Sequence, residues 1–207
     1  MRAHEQHQSH TAAVITAAGL SSRMGAFKPL MELEGKPLIQ WSVNAFYEAG
    51  ADTICVVLGY KGSEIRVALR DRGILYAENP DFAKTHMLDS VKIGLAALPE
   101  HISRVFLTPV DAPLAQPEML RRMLQCEAAL VRPSFGGRAG HPVLLADRLA
   151  AELMKYAGPD GLRGFLASHA SETAFVETAD EGVLLDADTP QQFERLKQVC
   201  GDRKRYR

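Results

Sequence analysis

AAVITAAGLSSRMGAFK, Ala12–Lys28, is an apolar run that breaks into small residues and then sets Arg23 and Lys28 five residues apart. A short run of this kind, closed by glycine, has the pattern of a strand buried on both faces of a sheet. Seven further runs follow along the chain: DTICVVLG, GILYA, SRVFLTPV, AALVRP, HPVLL, ETAFVE and GVLLD. Helical periods lie between them. Leu38, Trp41, Ala45, Phe46 and Ala49 share one helix face, with Pro37 in the first turn and Gly50 as the stop. MLDSVKIGLAAL repeats the period through Met87, Val91, Gly94, Leu95 and Leu98. A last helix opens at Asp188-Thr189-Pro190 and buries Phe193, Leu196 and Cys200. Strands alternating with helices predict an α/β fold, a three-layer α/β/α sandwich on a Rossmann-like, mostly parallel sheet.

The chain has 207 residues, of which 46% are hydrophobic, enough for one well-filled core. Residues 12–200 read as a single domain, flanked by a polar N-terminal tail, 1–11, and a basic C-terminal tail, 201–207. Ala128–Thr178 alternates less cleanly and is expected to elaborate the site rather than fold apart. A net charge of −1 argues against a general nucleic-acid binder, so any phosphate chemistry must rest on a few placed cations. No apolar run approaches the length of a membrane span, and the first residues lack the apolar stretch of a signal peptide. His4, His7 and His10 are read as part of the frayed tail. Cys55, Cys126 and Cys200 form neither a CxxC pair nor a zinc spacing, and read as reduced thiols of a cytoplasmic protein.

In an α/β sheet, ligands bind beyond the carboxyl ends of the strands, so the polar residues after each strand are the informative ones. After the first strand, Ala17-Ala18-Gly19 lets backbone N–H groups approach an anion, and Arg23 and Lys28 add charge. The loop lacks both the GK[ST] ending of a Walker A motif and the GxGxxG of a dinucleotide fold. Asp111 ends the strand VFLTPV and suits a magnesium ligand, or else caps the helix at Gln116-Pro117. Asp188, in DADTP, has the same two readings, metal ligand and helix cap. His141, set among Gly136, Gly137 and Gly140, is a candidate for substrate contact or a structural histidine entering a strand.

Taken in order, TAAGLSSRMGAFK, ENPDF, MLDSVKIGL, TPVDAP, GRAGHPVLL and DADTP resemble the motifs of the MobA-like nucleotidyltransferases, in particular the molybdenum cofactor cytidylyltransferase (MocA) type. The resemblance spans about Val14 to Leu196 and implies the nucleotide-diphospho-sugar transferase fold. It implies that Ala17, Ala18 and Gly19 hold the nucleotide through backbone groups, with Asn79 and Ser90 nearby. Arg23 and Lys28 are then catalytic and hold the phosphates. Asp111 and Asp188 bind Mg²⁺, Asp111 also facing the nucleotide, and Gly140 and His141 face the acceptor. The implied reaction moves CMP from CTP, since an AAG loop goes with CTP in this family ahead of GTP or another NTP. The implied acceptor is the phosphate of molybdopterin, with transient contact to a molybdoenzyme and no nucleic-acid or membrane partner. A sugar 1-phosphate or alcohol phosphate acceptor, and a non-catalytic carrier of the molybdenum cofactor, are the competing readings. Lys84-Thr85-His86-Met87 is one residue longer than is usual in the family, and Pro29 stands where leucine or methionine is common.

Overall fold

A computed structural model describes residues 10–21, 24–70 and 72–205. Strand β1 (His10–Ala17) leads into the loop and a 3₁₀ turn at Lys28–Leu30. A small hairpin, β2 (Glu32–Leu33) and β3 (Lys36–Pro37), then delivers α1 (Leu38–Ala49), which ends at Gly50. Next come β4 (Thr53–Leu58), α2 (Gly62–Ala68), β5 (Leu75–Glu78), α3 (Met87–Ala97), β6 (Ile102–Pro109) and α4 (Pro117–Leu124). The second half supplies β7 (Leu130–Phe135), β8 (Arg138–Ala139), β9 (Val143–Ala146), α5 (Asp147–Lys155), α6 (Gly161–Ser168), β10 (Thr173–Glu177) and α7 (Pro190–Arg205).

The main sheet runs β10-β7-β9-β6-β1-β4-β5, with β8 paired to β7. All its pairings along that path are parallel except those of β9, which runs against both β6 and β7. The strands of Ala128–Thr178 thus join the same sheet as β1. Alternate residues of β1 feed two different cores, as the two-residue strand period requires. Ala13, Ile15 and Ala17 pack with Phe46 of α1, Ile65 of α2 and Met123 of α4. Ala12 and Val14 pack with Val91 of α3, Leu153 of α5 and Phe165 of α6. Helices therefore cover both faces, the expected three layers. A third apolar cluster seats Phe193, Leu196 and Cys200 of α7 against Leu33 and Leu38.

Two sequence readings need correction. GVLLD is no strand: Glu181–Leu184 is a 3₁₀ turn. Both edges of β7 are already taken by β9 and β10, and the Val183 carbonyl instead accepts a hydrogen bond from the His141 N–H at 2.8 Å. Met87 is 48% exposed rather than part of the buried face of α3, which consists of Ser90, Val91 and Gly94. As the first residue of the helix, Met87 lies out over a cleft instead of the sheet. A side chain at Gly94 would overlap Val14 and Val57, so glycine there lets α3 lie close on the sheet. At the termini, β1 begins at His10 and α7 continues to Arg205. None of the three cysteines is in a disulfide among the described residues, and Cys55 and Cys200 are buried. Among the described residues no helix is long and apolar enough to cross a membrane.

Candidate active site

A cleft of about 210 Å³ opens at the carboxyl ends of β1 and β6. Its floor is Thr16, Ala17, Ala18 and Gly19, and its far wall is formed by Thr85, His86, Met87 and Ser90. Small residues at the end of β1 leave the backbone within reach of a ligand. Ser21 adopts a left-handed φ of 56° and its hydroxyl accepts from the Lys28 N–H at 3.1 Å, closing the loop on itself. Arg23 lies outside the described residues.

Lys28 is the centre of the charge arrangement. Its side chain reaches back from the 3₁₀ turn and donates to Asp111 Oδ2 at 2.9 Å and Asp188 Oδ1 at 2.5 Å. Burial works against the ammonium, but its hydrogen bonds to Asp188 and Asp111 outweigh that cost and raise its pKa above 10.5. The two carboxylates are 77 residues apart in sequence; the Ala187 N–H, donating to the Asp111 carbonyl at 2.9 Å, brings their segments together.

Neither acid serves as the cap that its local sequence also allowed. Gln116 occupies the N-cap position of α4, and Thr189 takes that role for α7, its Oγ1 accepting from Gln192 N–H at 3.2 Å. Asp186 completes an acidic set. Its carboxyl pKa is raised by burial and by the neighbouring Asp188 and Asp111, and its Oδ1 is buried without a hydrogen-bond partner. Asp111 Oδ2 and Asp188 Oδ1 converge on the Lys28 ammonium, and hard oxygen donors of this kind also suit a divalent ion. Among the described residues no group of three or more potential ligands forms a complete metal site, so such an ion would rest on Asp111 and Asp188 and take its remaining ligands from phosphate and water.

Asn79 does not face the cleft. It is 2% exposed, donates to Thr85 Oγ1 at 2.9 Å and Ser90 Oγ at 3.0 Å, and accepts from the Asp81 N–H at 3.1 Å. With its amide fully used, Asn79 shapes the wall, while Ser90 lines it. Phe27, Tyr60 and Phe82 form an aromatic row at 5.5 and 6.3 Å between ring centres, and Phe82 borders the cleft.

Gly140 and His141 do not line this cleft; His141 lines a separate cavity that shares Met87 with it. A side chain at Gly140 would collide with the Val183 carbonyl, and the His141–Pro142 bond is cis. Burial, then the charge of Arg132, hold the imidazole pKa of His141 below its usual value, against the pull of Asp111. His141 thus feels the charge of both Asp111 and Arg132, and it lines one cavity with Arg132, a residue that sequence reasoning left aside. A lone arginine in the apolar run AALVRP was the available signal.

The MobA-like NTP transferase domain model matches residues 13–173. The chain belongs to the MobA-like NTP transferase family. Molybdenum cofactor cytidylyltransferase of Escherichia coli K12 is 30% identical over 188 residues, covering 89% of this chain and 94% of its own. A nucleotidyl transferase from Methanothermobacter thermautotroptrophicus superposes with a TM-score of 0.79 at 22% identity, covering 91% of this chain and 96% of that one. Mycobacterium tuberculosis Rv0371c, in a structure of its complex with manganese, gives 0.74 at 22% identity over 91% and 98% of the two chains. These two structural likenesses concern the fold, that of the nucleotide-diphospho-sugar transferases. This family member is thus a nucleotidyltransferase, cytidylyltransferase-like in sequence.

Proposed function

We propose that the chain transfers CMP from CTP to the phosphate of a molybdopterin-type acceptor in the presence of Mg²⁺, releasing pyrophosphate. The observation that carries this reading is Lys28 bridging Asp111 and Asp188 beside the open Ala17-Ala18-Gly19 backbone. A cation and two oxygen ligands gathered at a loop of small residues suit a triphosphate. The E. coli relative supports both CTP and the molybdenum cofactor, and the AAG loop supports CTP.

Asp111 and Asp188 would hold the metal ion, which supplies charge neutralisation for the phosphate oxygens. An oxygen of the acceptor phosphate forms a new bond to the α-phosphorus as the bond from that phosphorus to the bridging oxygen breaks. Pyrophosphate leaves with the electron pair. The nucleophile is already an anion, so no residue has to remove a proton, and positioning and electrostatics carry the catalysis. Lys28 and, by the family resemblance, Arg23 stabilise charge on the phosphates. Ser90 and the Thr85–Met87 wall confine the nucleotide, and Gly140 and His141 face the acceptor.

A pyrophosphate-release assay with CTP and GTP, crossed with molybdopterin, a sugar 1-phosphate and phosphocholine, tests the proposal. The expected result is magnesium-dependent release with CTP and molybdopterin. Release only with a sugar or alcohol phosphate would reassign the acceptor. No release with any combination would favour a carrier.

A further inference from the structure

A second cavity, about 540 Å³, is lined in part by His141. It shares Met87 with the nucleotide cleft, so the two spaces meet at that side chain. Its walls are mainly apolar, with Leu162, Leu166 and an exposed Phe175, yet Arg132, His141 and Arg163 also line it. Arg132 sits on β7, between the β9 and β10 strands, where a charge is out of place unless something answers it.

Nothing among the described residues does so. Arg132 makes no ion pair there, and its one hydrogen bond is a long contact, 3.3 Å, from Nη2 to the Gly140 carbonyl. Arg132 Nε and His141 Nδ1 are both buried without a hydrogen-bond partner. Burial depresses the pKa of the guanidinium, which nonetheless stays charged at any physiological pH. A half-buried cation with spare donors is costly unless an anion joins it, and guanidinium is the side chain best shaped to grip a phosphate.

We infer that Arg132, with His141 beside it, is the anion-holding group of the acceptor subsite and binds the phosphate monoester of the acceptor. Arg163 lies at the same cavity and adds positive charge, while Leu166 and Phe175 cover an apolar body. The acceptor is thereby selected by two features together, a phosphate oxyanion and a flat or apolar frame. Arg132 is a specificity-determining residue in this scheme and does not handle the α-phosphorus. The inference rests on the cytidylyl-transfer proposal for the reaction, whereas the anion site stands on the cavity itself.

The test has two arms on the full chain. In the first, arginine side-chain ¹H–¹⁵N resonances are followed during titration with inorganic phosphate, chloride serving as the ionic-strength control, and Arg132→Lys identifies the Arg132 signal. A saturable shift of that signal is expected. In the second, Arg132→Gln is expected to raise the acceptor KM by about 10- to 100-fold, the range that a hydrogen bond to a charged group supplies. The KM for CTP and the inhibition constant of pyrophosphate stay at wild-type values, which separates acceptor phosphate from leaving group. Arg132→Lys recovers part of the loss and serves as the second variant if Arg132→Gln does not fold. An Arg132 signal unmoved by phosphate overturns the site. So does an Arg132→Gln effect that falls on CTP or pyrophosphate instead of the acceptor. Saturable phosphate binding without turnover of molybdopterin supports the anion site and counts against that acceptor.

Discussion

Replacing Lys28 by Met removes a cation that two carboxylates share while nearly preserving side-chain length. The Lys28 side chain is 11% exposed, that of Asp111 20% and that of Asp188 39%. The Asp188 pair is open to solvent and is worth at most about 1 kcal/mol. The Asp111 pair is better shielded, and breaking it leaves a half-buried carboxylate facing another acid, a loss of about 1–2 kcal/mol after allowing for water access. The sum, about 1–3 kcal/mol, lowers the melting temperature by about 2–12 °C for a chain of this size. Turnover falls further than stability would suggest, by about 10²–10³-fold, the scale of one lost transition-state donor. Thermal melts and pyrophosphate release from Lys28→Met, Asp111→Asn and the double variant form a complete cycle. The double variant is expected to be less destabilised than the sum of the two single losses, because each substitution relieves the charge that the other strands. Divalent cations should also raise the melting temperature of Lys28→Met more than that of the wild type, since two carboxylates are unmasked for them. A Lys28→Met protein that melts and turns over like the wild type would refute the reasoning.

Asn79→Ala removes the amide that ties Thr85, Ser90 and Asp81 together, and is expected to cost about 2–3 kcal/mol and raise the KM for CTP, as read by melts and steady-state kinetics. Gly140→Ala forces a methyl group against the Val183 carbonyl, so a loss of about 1–3 kcal/mol together with a raised acceptor KM is expected. Burial lifts the Cys55 thiol to about 11, so alkylation at pH 8 should label Cys126 while leaving Cys55 unmodified. The unfolded thiol ionises below the folded one, so Cys55 destabilises the fold as pH rises from about 9 to 11, and Cys55→Ala should flatten that part of the stability profile.

The sheet was legible because its strands are buried on both faces, and such strands announce themselves as unbroken Val, Ile and Leu runs. Ala12–Ile15 of β1 and Val105–Leu107 of β6 are of this kind. GVLLD has the same composition but lies against β7, both of whose edges are already taken by β9 and β10, and strand pairing depends on neighbours that a local pattern does not contain. Met87 misled for a related reason, since helical period places a residue on a face without saying where the sheet beneath that face ends. Asp111 and Asp188 were legible as polar residues directly after apolar segments. Their capping reading falls because Gln116 and Thr189 hold the caps, which leaves both carboxylates to Lys28. Asn79 could be placed near the nucleotide by resemblance, yet its burial behind the wall rests on three hydrogen bonds, to Asp81, Thr85 and Ser90, that form only once the loop folds back and α3 begins. Arg132 escaped notice because one arginine in a strand carries no pattern; its meaning comes from the cavity, His141 and the missing partner.

The central claim is that Lys28, Asp111 and Asp188 form a centre for transfer of a cytidylyl group. Following the label from CTP carrying ³²P at the α-position, with Mg²⁺ and molybdopterin, measures this most directly. Label is expected in a molybdopterin–cytidine dinucleotide, with an equal amount of unlabelled pyrophosphate and loss of both in Asp111→Asn and Asp188→Asn. Label that stays in CTP, emerges as free CMP, or reaches the acceptor equally well in those variants would contradict it.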